Sequence, residues 1–311
     1  MDVSVIICTY AVERYEDFSE AVESILDQTY ESIEIVLVID GNEDLCELVE
    51  ADFGERDNIV IENNNKNRGV SYSRTKGAEL ADGDVVAFVD DDAVAEPNWI
   101  AELVDVYQST DAVAVGGRMI GDWLVGDPWY LPEEFYWLVG VTHRGFADPG
   151  EEVRNTFESN ISFKRDVFLN LGGFSSDLGP TAEVYRHSEG AEIGVRLQEE
   201  YDRGVVYEPE AVVHHKIFAD RIQLQRLCKR AFEQGVSKQI MASQTTSFSN
   251  EEFGFLFLLV QVYIPQRLRT LVRSPSLGDL GQLLMLVVFT SCVGVGYCYA
   301  VVNNLFQSDT P

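Results

Sequence analysis

The first 115 residues alternate between short apolar runs and segments with helical spacing, and this alternation constrains the fold more than any other feature. The apolar runs include 3–8, 33–39 and 85–89. Each is almost uninterrupted, as a strand buried on both faces requires. The intervening segments, such as 15–27, place apolar residues on one helical face. Strands that alternate with helices predict right-handed crossovers and an α/β fold of Rossmann-like type, with a mostly parallel sheet flanked by helices.

Three adjacent carboxylates, Asp90, Asp91 and Asp92, follow the apolar run 85–89. In open parallel sheets ligands bind beyond the carboxyl ends of the strands, so these side chains fall on the expected binding edge. Neighbouring carboxylates repel one another unless a cation lies among them, and carboxylate oxygens suit Mg²⁺ or Mn²⁺. The sequence therefore predicts a divalent metal site here. A solvated acidic loop is the alternative, since the whole chain is acidic.

Acidic residues outnumber basic residues by 52 to 23, which gives a net charge of -29. Such a chain repels phosphate backbones, which argues against nucleic acid as a partner. Carboxylates spread along an apolar-patterned chain are typical of proteins from salt-rich cytoplasms, where salt screens their repulsion. The five cysteines form no Cys-x-x-Cys pair, and no signal peptide precedes the strand pattern at Val3. We therefore expect a reduced, cytoplasmic catalytic domain.

The C-terminal region differs from the rest of the chain. Residues 283–302 carry no charge, and about twenty apolar residues suffice to cross a hydrocarbon core. The shorter run 255–265 is predicted to be interfacial or re-entrant. Arg267, Arg269 and Arg273 lie between the two runs and favour the cytoplasmic side of a membrane. The sequence thus predicts a cell-membrane protein with a C-terminal transmembrane anchor, or alternatively a buried core helix at 283–302.

Seven short motifs occur in order along the part of the chain that precedes this region. They are VSVIICTY at 3–10, SILDQTY at 24–30, VIDG at 38–41, NRGVSYSR at 67–74, FVDDD at 88–92, SNISFKR at 159–165 and LGGF at 171–174. Through these motifs the chain resembles the family 2 glycosyltransferases of the GT-A fold. The resemblance implies inverting transfer of a sugar from a nucleotide-sugar donor with the help of a divalent metal.

Within that family the chain most resembles haloarchaeal enzymes that extend dolichyl-phosphate-linked glycans for N-glycosylation of S-layer proteins. The similarity is greatest to those that add a hexuronic acid. This resemblance implies a UDP-sugar donor, such as UDP-glucuronate, and a lipid-linked acceptor on dolichyl or polyprenyl phosphate.

The resemblance also implies which residues form the site. Those expected to bind the nucleotide-sugar are Thr9, Tyr10, Arg14, Asp40, Arg74 and Asp91. Those expected to hold the metal are Asp90, Asp92 and His215, with Asp92 favoured as the direct ligand. Asn160 is expected to line the acceptor side. A packed or solvent-facing imidazole is the alternative for His215.

The general base is the position where the chain departs from the family. Relatives usually place an adjacent Glu-Asp pair at the start of a helix, whereas this chain reads Glu189-Gly190, with a further acid at Glu192. We expect Glu189 or Glu192 to take the acceptor proton, and we favour Glu189. The alternative for Glu192 is an i,i+4 ion pair with Arg196.

A basic amphipathic helix is predicted within 219–250. Its residues Arg226 and Arg230 are expected to hold the donor diphosphate or the phosphate of a lipid-linked acceptor. A membrane-facing basic collar is the alternative.

The predicted domains follow from these patterns. They are a catalytic domain at 1–218, with a nucleotide-binding half at 1–115 and an acceptor half at 116–218, then the basic helix at 219–250 and a membrane-associated region at 251–311. Two rival functions fit the same patterns. One is a nucleotidyltransferase, although the early Gly-rich phosphate loop with Lys or Arg that such enzymes usually carry does not follow residues 3–8. The other is a non-catalytic membrane sensor on a degenerate transferase fold, for which Gly190 is the one supporting feature. A polyprenyl-phosphate sugar synthase is a close variant of the transferase.

Overall fold

The structure is a computed structural model that describes residues 1–175, 189–244 and 249–307. By their contacts these residues form two compact units. The first comprises the described residues within 1–122 and 147–216, and the second comprises those within 123–146 and 217–311. The sequence grouped 123–146 with the acceptor half instead. The predicted domain limits themselves stay predictions.

The first unit contains a sheet of nine strands among the described residues. The strands are β1 (Val3–Thr9), β2 (Ile33–Ile39), β3 (Ile59–Asn63), β4 (Val85–Asp90), β5 (Ala93–Ala95), β6 (Ala114–Trp123), β7 (Glu152–Val153), β8 (Ile161–Lys164) and β9 (Val205–Ile217). Its helices are α1 (Tyr15–Leu26), α2 (Glu43–Phe53), α3 (Val70–Leu80), α4 (Trp99–Ser109), α5 (Arg165–Asn170) and α6 (Glu189–Tyr201).

The strand order is β3-β2-β1-β4-β8-β6-β9-β5, with β7 paired to β9. The first four strands of this order are parallel, whereas β8 is antiparallel to both β4 and β6. The parallel half confirms the predicted α/β class. Because β1, β2 and β4 run side by side in one direction, their carboxyl ends meet at one edge, and that edge carries the acidic residues.

The apolar runs form strands because both faces of the sheet are covered. Along β1, Val5 and Ile7 pack into one apolar core while Ile6 packs into the other. Burial of such a side chain stabilises the fold by about 1.5–3 kcal/mol. An aromatic cluster around Phe88 lies in the second core and fixes β4 against β8. The acidic edge is therefore mounted on a rigid support.

The second unit is helical. Its elements are a 3₁₀ segment (Glu133–Val139), α7 (Leu224–Gln244), α8 (Ser249–Leu258), a π-helical turn (Leu259–Tyr263), α9 (Ile264–Arg273) and α10 (Leu277–Gln307). α7 and α10 approach so closely that a Cβ on Gly235 would lie 2.0 Å from the carbonyl oxygen of Val293, and one on Gly296 2.0 Å from that of Phe232. Glycines thus allow the two backbones to touch.

Two helical segments in the described part of the second unit are long and apolar enough to cross a membrane, Gly254–Arg273 and Leu277–Asn303. From the sequence only the second segment is expected to be long enough, because 255–265 is a separate short apolar run. In the structure α8, the π-helical turn and α9 continue one another, which adds the residues up to Arg273. Arg267, one of the three arginines used to orient the chain, lies against Glu134, which is completely buried.

Candidate active site

The acidic edge lies where β4 ends and the chain turns into β5. Asp90 is the last residue of β4, while Asp91 and Asp92 form the turn and are both buried. The backbone of Asp92 is fixed by β9, because its carbonyl accepts a hydrogen bond from Lys216 N at 2.9 Å. Three carboxylates thus leave a rigid strand end at consecutive positions, as the sequence predicted.

Two residues predicted to bind the nucleotide hold the second and third of these acids. Thr9 Oγ1 donates to Asp91 Oδ2 at 2.9 Å. Arg14 Nη1 donates to Asp91 Oδ1 at 3.3 Å and to Asp92 Oδ2 at 2.8 Å. Burial and the charge of Asp92 nevertheless raise the pKa of Asp91 to about 7. Tyr10 lies beside this group with its side chain largely exposed.

Arg74 connects the edge to α6. Its buried guanidinium makes an ion pair with Asp90 and donates to Glu189 Oε1 at 3.2 Å. Burial lowers the pKa of Arg74, but Asp90 and Glu189 outweigh that effect, so the net shift is upward and the group stays charged. Arg74, predicted to bind the nucleotide-sugar, is therefore already paired with two acidic side chains.

Asp40 binds the loop that leads into α3. Its Oδ1 accepts hydrogen bonds from Asn64 Nδ2 at 2.8 Å and Arg68 N at 2.9 Å, and its Oδ2 accepts one from Gly69 N at 2.8 Å. Gly69 has φ 90°, a conformation that favours glycine, immediately before the helix. Asp40 thus shapes the loop, and its expected contact with the nucleotide-sugar stays a prediction.

The described part of α6 begins with Glu189, which carries a buried carboxylate. Burial and the nearby Glu158 raise its pKa to about 8, against the lowering effect of Arg74. Among the described residues, Glu189 Oε2 is buried without a hydrogen-bond partner. Gly190 N donates to Glu158 Oε1 at 2.9 Å. Glu158 was not predicted as a site residue from the sequence. Two signals pointed to it: the glycine at 190, where relatives have an acid, and the position of an acid directly before the SNISFKR motif.

Glu192 is held by an ion pair within its own helix. Arg196 donates to its two carboxylate oxygens at 2.7 and 2.6 Å. The same guanidinium donates to the carbonyl of Gly173 at 2.8 Å and to that of Leu171, which joins α6 to the LGGF motif. The i,i+4 ion pair anticipated from the sequence is therefore present, and a role for Glu192 as base would require this pair to open.

Asn160 lies in the interior. It is completely buried, and its Oδ1 accepts from Trp99 Nε1 at 2.8 Å and from Gly117 N at 3.2 Å. Its Nδ2 donates to the carbonyls of Arg118 at 3.0 Å and Ala211 at 2.9 Å. All four hydrogen-bonding positions of the amide are in use. The predicted contact with the acceptor would need one of these bonds to break.

The residues predicted to hold the metal are brought together in part. His215 pairs in register with Ala93, and its Nε2 lies 3.4 Å from Asp92 Oδ1. Asp90 is partly exposed at the same turn. In the described residues no group of three or more His, Cys, Asp or Glu side chains is arranged to enclose a cation. One or two carboxylates with substrate phosphates and water are the usual environment of Mg²⁺, so Asp92 and His215, with Asp90, fit a metal that also binds the donor.

Arg226 and Arg230, predicted to hold a phosphate, both lie on α7 in the second unit. Arg226 makes an ion pair with Asp220. The second unit also contains an open cavity of about 690 Å³. Its charged lining consists of Arg144, Arg267, Arg269 and Arg273 together with Asp127, Glu133 and Asp279.

The sheet carries acids and arginines at the carboxyl ends of its central parallel strands, which is the arrangement expected for the GT-A fold. The sequence model of "Glycosyl transferase family 2" matches residues 4–172. The chain is 50% identical over 309 residues to the glucosyl-dolichyl phosphate glucuronosyltransferase of Haloferax volcanii, and the match covers 99% of each chain. The chain therefore belongs to the family 2 glycosyltransferases and is an enzyme of that class.

Solved structures agree with this fold. The mannosyltransferase PcManGT of Pyrobaculum calidifontis, solved with GDP-Man and Mn²⁺, superposes with a TM-score of 0.59 at 15% identity, over 99% of this chain and 88% of that one. Residues 1–349 of TarS from S. aureus superpose with a TM-score of 0.56 at 16% identity, over 94% and 81%. At such identities the similarity shows the fold alone. It confirms the GT-A expectation.

Proposed function

We propose that this enzyme transfers glucuronate, or another hexuronic acid, from a UDP-sugar to a glycan linked to dolichyl or polyprenyl phosphate. The observation that carries the proposal is the 50% identity over essentially the whole length of the Haloferax volcanii glucosyl-dolichyl phosphate glucuronosyltransferase. Identity that extends through the C-terminal helices supports a shared lipid-linked acceptor as well as a shared fold. We further propose that the product serves protein N-glycosylation of the S-layer.

The geometry of the first unit suits an inverting single displacement. The acceptor hydroxyl loses its proton to a carboxylate as its oxygen bonds to the anomeric carbon, and the bond from that carbon to the phosphate breaks with its electrons going to the nucleoside diphosphate. Asp92, His215 and Asp90 would hold Mg²⁺ or Mn²⁺, which neutralises charge on the departing diphosphate when it is bound. Arg14 and Arg74 fix the positions of these acids.

The second unit supports a lipid-linked acceptor. Its two apolar segments are long enough for a membrane, and the first of them ends in Arg269 and Arg273. These two arginines line the cavity, where a guanidinium can bind a phosphate through two hydrogen bonds. We propose attachment to the cell membrane with the catalytic unit in the cytoplasm. Both arginines are exposed and carry the charge that favours that side.

The test is a transfer assay with membranes that contain the enzyme. The membranes are incubated with UDP-glucuronate or with other UDP- and GDP-sugars, together with glucosyl-dolichyl phosphate, and the lipids are analysed by mass spectrometry. We expect one hexuronic acid to be added, only with the matching donor, and the reaction to stop with a chelator and to resume with Mn²⁺ or Mg²⁺. The assignment would be refuted if product formed only with a donor that carries no hexuronic acid, or if no donor gave product.

A matched pair of variants connects the assay to the site. Asp92→Asn removes one negative charge at the strand end, and Asp44→Asn makes the same change on the exposed face of α2. We expect Asp92→Asn to lower transfer by at least about 100-fold, since one preorganised charge contributes about that much to a transition state. Asp44→Asn should retain wild-type turnover.

A polyprenyl-phosphate sugar synthase is the second candidate, and Gly190 is the observation that favours it. A free lipid phosphate is already ionised, so an enzyme acting on it needs less help from a base, and a lost acid would cost little. Dolichyl phosphate without a sugar, offered beside glucosyl-dolichyl phosphate in the same assay, separates the two. Product on the bare phosphate alone would favour the synthase.

A further inference from the structure

Glu158 occupies the space that a side chain at position 190 would fill. A Cβ built on Gly190 would lie 2.2 Å from Glu158 Oε1 and 2.7 Å from its Cδ. The Gly190 N–H donates to the same oxygen at 2.9 Å. A carboxylate is therefore present beside the first described turn of α6, but it comes from the segment before β8 and not from α6 itself.

The backbone around Glu158 places this carboxylate at the acidic edge. Its neighbour Ser159 accepts a hydrogen bond through Oγ from the backbone N of Asp90 at 3.0 Å. Ile161 then pairs with Phe88 of β4. Glu158 is thus tied to the same strand end that carries the aspartates.

We propose that Glu158 is the catalytic base that removes the acceptor proton, and that Glu189 is a positioning residue that holds Arg74. This inference rests on the proposed sugar transfer and goes beyond it, because it names a residue outside the α6 motif. The proton moves from the acceptor hydroxyl to a Glu158 oxygen while the new glycosidic bond forms. It leaves to solvent after the nucleoside diphosphate departs.

The surroundings of the two carboxylates favour this division of roles. Glu158 is only half-buried, so an acceptor can reach it, whereas Glu189 is buried and bound to Arg74. Burial and the charge of Glu158 favour the neutral form of Glu189 by raising its pKa to about 8. A general base must lie within reach of the proton that it removes. The accessible carboxylate, Glu158, is therefore the better base.

The first test compares Glu158→Gln with Glu189→Gln under saturating donor. Glutamine at 158 can still accept the hydrogen bond from Gly190 N, so a purely structural role would survive the change. We expect Glu158→Gln to lower kcat by about 10²–10⁴-fold, as loss of a general base does, with KM for the UDP-sugar changed less than about threefold. Glu189→Gln, which resembles the neutral acid, should lose less than about tenfold. The same change at the exposed Glu199 of α6 is the matched control.

The second test moves the acid to the other side of the contact. Glu158→Ala should be as inactive as Glu158→Gln. Adding Gly190→Asp to it points a carboxylate into the vacated space, and we expect at least tenfold recovery of kcat. Gly190→Asp alone should not raise activity, because it crowds Glu158 and adds a like charge.

Several results would overturn the proposal. One is a Glu158→Gln enzyme within about threefold of wild-type kcat, and another is a larger loss in Glu189→Gln than in Glu158→Gln. If Glu158→Gln fails to fold, as judged by its unfolding temperature, the comparison of Glu158→Ala with the Glu158→Ala, Gly190→Asp double variant decides. Recovery of kcat in the double variant supports the proposal, and no recovery overturns it. The variants are compared on whichever donor and lipid acceptor the wild type uses, so failure of the glucuronate assignment and failure of the Glu158 assignment are read separately.

Discussion

Asn160 offers a test of whether a motif residue binds substrate or holds the fold. Its amide joins Trp99 on α4 to β6 and β9 through four hydrogen bonds. Asn160→Ala strands the buried indole N–H of Trp99, while Gly117 N keeps a second acceptor in the Asn160 backbone carbonyl. A stranded buried donor costs about 1–3 kcal/mol, and each of the two lost bonds to carbonyls about 0.5–1.5 kcal/mol.

These contributions predict that Asn160→Ala lowers the free energy of unfolding by about 4 kcal/mol, within a range of roughly 2–6. For a unit of this size that corresponds to an unfolding temperature lower by roughly 8–16 °C. The measurement is thermal and chemical unfolding of the detergent-solubilised enzyme. It is paired with KM for the lipid acceptor at a temperature where the variant is folded, and there we expect KM to change less than about twofold.

A double-variant cycle with Trp99→Phe isolates the cause. Phenylalanine removes the indole N–H, so in that background Asn160→Ala no longer strands a donor and should cost at least about 1 kcal/mol less. The opposite pattern is a loss of stability below about 1 kcal/mol together with a tenfold rise in acceptor KM. That result would refute the structural reading and restore the predicted acceptor contact.

Three further outcomes are expected from other parts of the chain. Because burial raises the pKa of Glu189 from 4.5 to about 8, the folded state binds more protons than the unfolded state between those values, and stability falls as pH rises from 4.5 to 8. Unfolding temperatures at pH 5 and 8 should fall more steeply in the wild type than in Glu189→Gln, in which Asp91, with its pKa raised to about 7, still contributes a smaller slope. Gly296→Ala should destabilise the second unit by about 1–3 kcal/mol. Gly294→Ala should not, because a Cβ at that position would meet nothing within 4 Å. Thermal unfolding in detergent measures both effects. Arg267→Ala leaves the buried Glu134 with only the 3.5 Å ion pair to Arg144 and should cost up to about 3–5 kcal/mol. The exposed Arg269→Ala should cost about 0.5 kcal/mol or less, and chemical unfolding measures both.

The sequence was most informative where one local pattern decides the structure. The apolar runs at 33–39 and 85–89 became β2 and β4 because a parallel strand buried on both faces needs an unbroken apolar stretch. The ends of such strands share one edge, so the position of the three aspartates at the binding edge could be predicted from the sequence.

The ion pairs and hydrogen bonds between distant charged residues could not be predicted from the sequence in the same way. Arg74 meets Glu189 across 115 positions in the sequence, and Glu158 meets Gly190 across 32. No local periodicity encodes such contacts, because they depend on the antiparallel insertion of β8 between β4 and β6. Asn160 shows a second limit of the sequence. An asparagine in a motif looks the same in the sequence whether its amide contacts a substrate or makes four hydrogen bonds to buried protein groups.

The negative charge at the strand end leads us to expect that the metal and the donor bind cooperatively. The acids there are Asp90, Asp91, Asp92, Glu158 and Glu189, and they outnumber the two arginines even if Asp91 and Glu189 are neutral. A nucleoside diphosphate adds further negative charge, so it should bind poorly unless a cation accompanies it. The protein in turn offers too few ligands to enclose a cation by itself among the residues described. Metal and donor should therefore strengthen each other reciprocally. Titration calorimetry should show that Mn²⁺ binds at least tenfold tighter when UDP is present, and that UDP binds tighter by the same factor when Mn²⁺ is present. If each ligand binds with the same affinity whether or not the other is present, this account of the site is wrong.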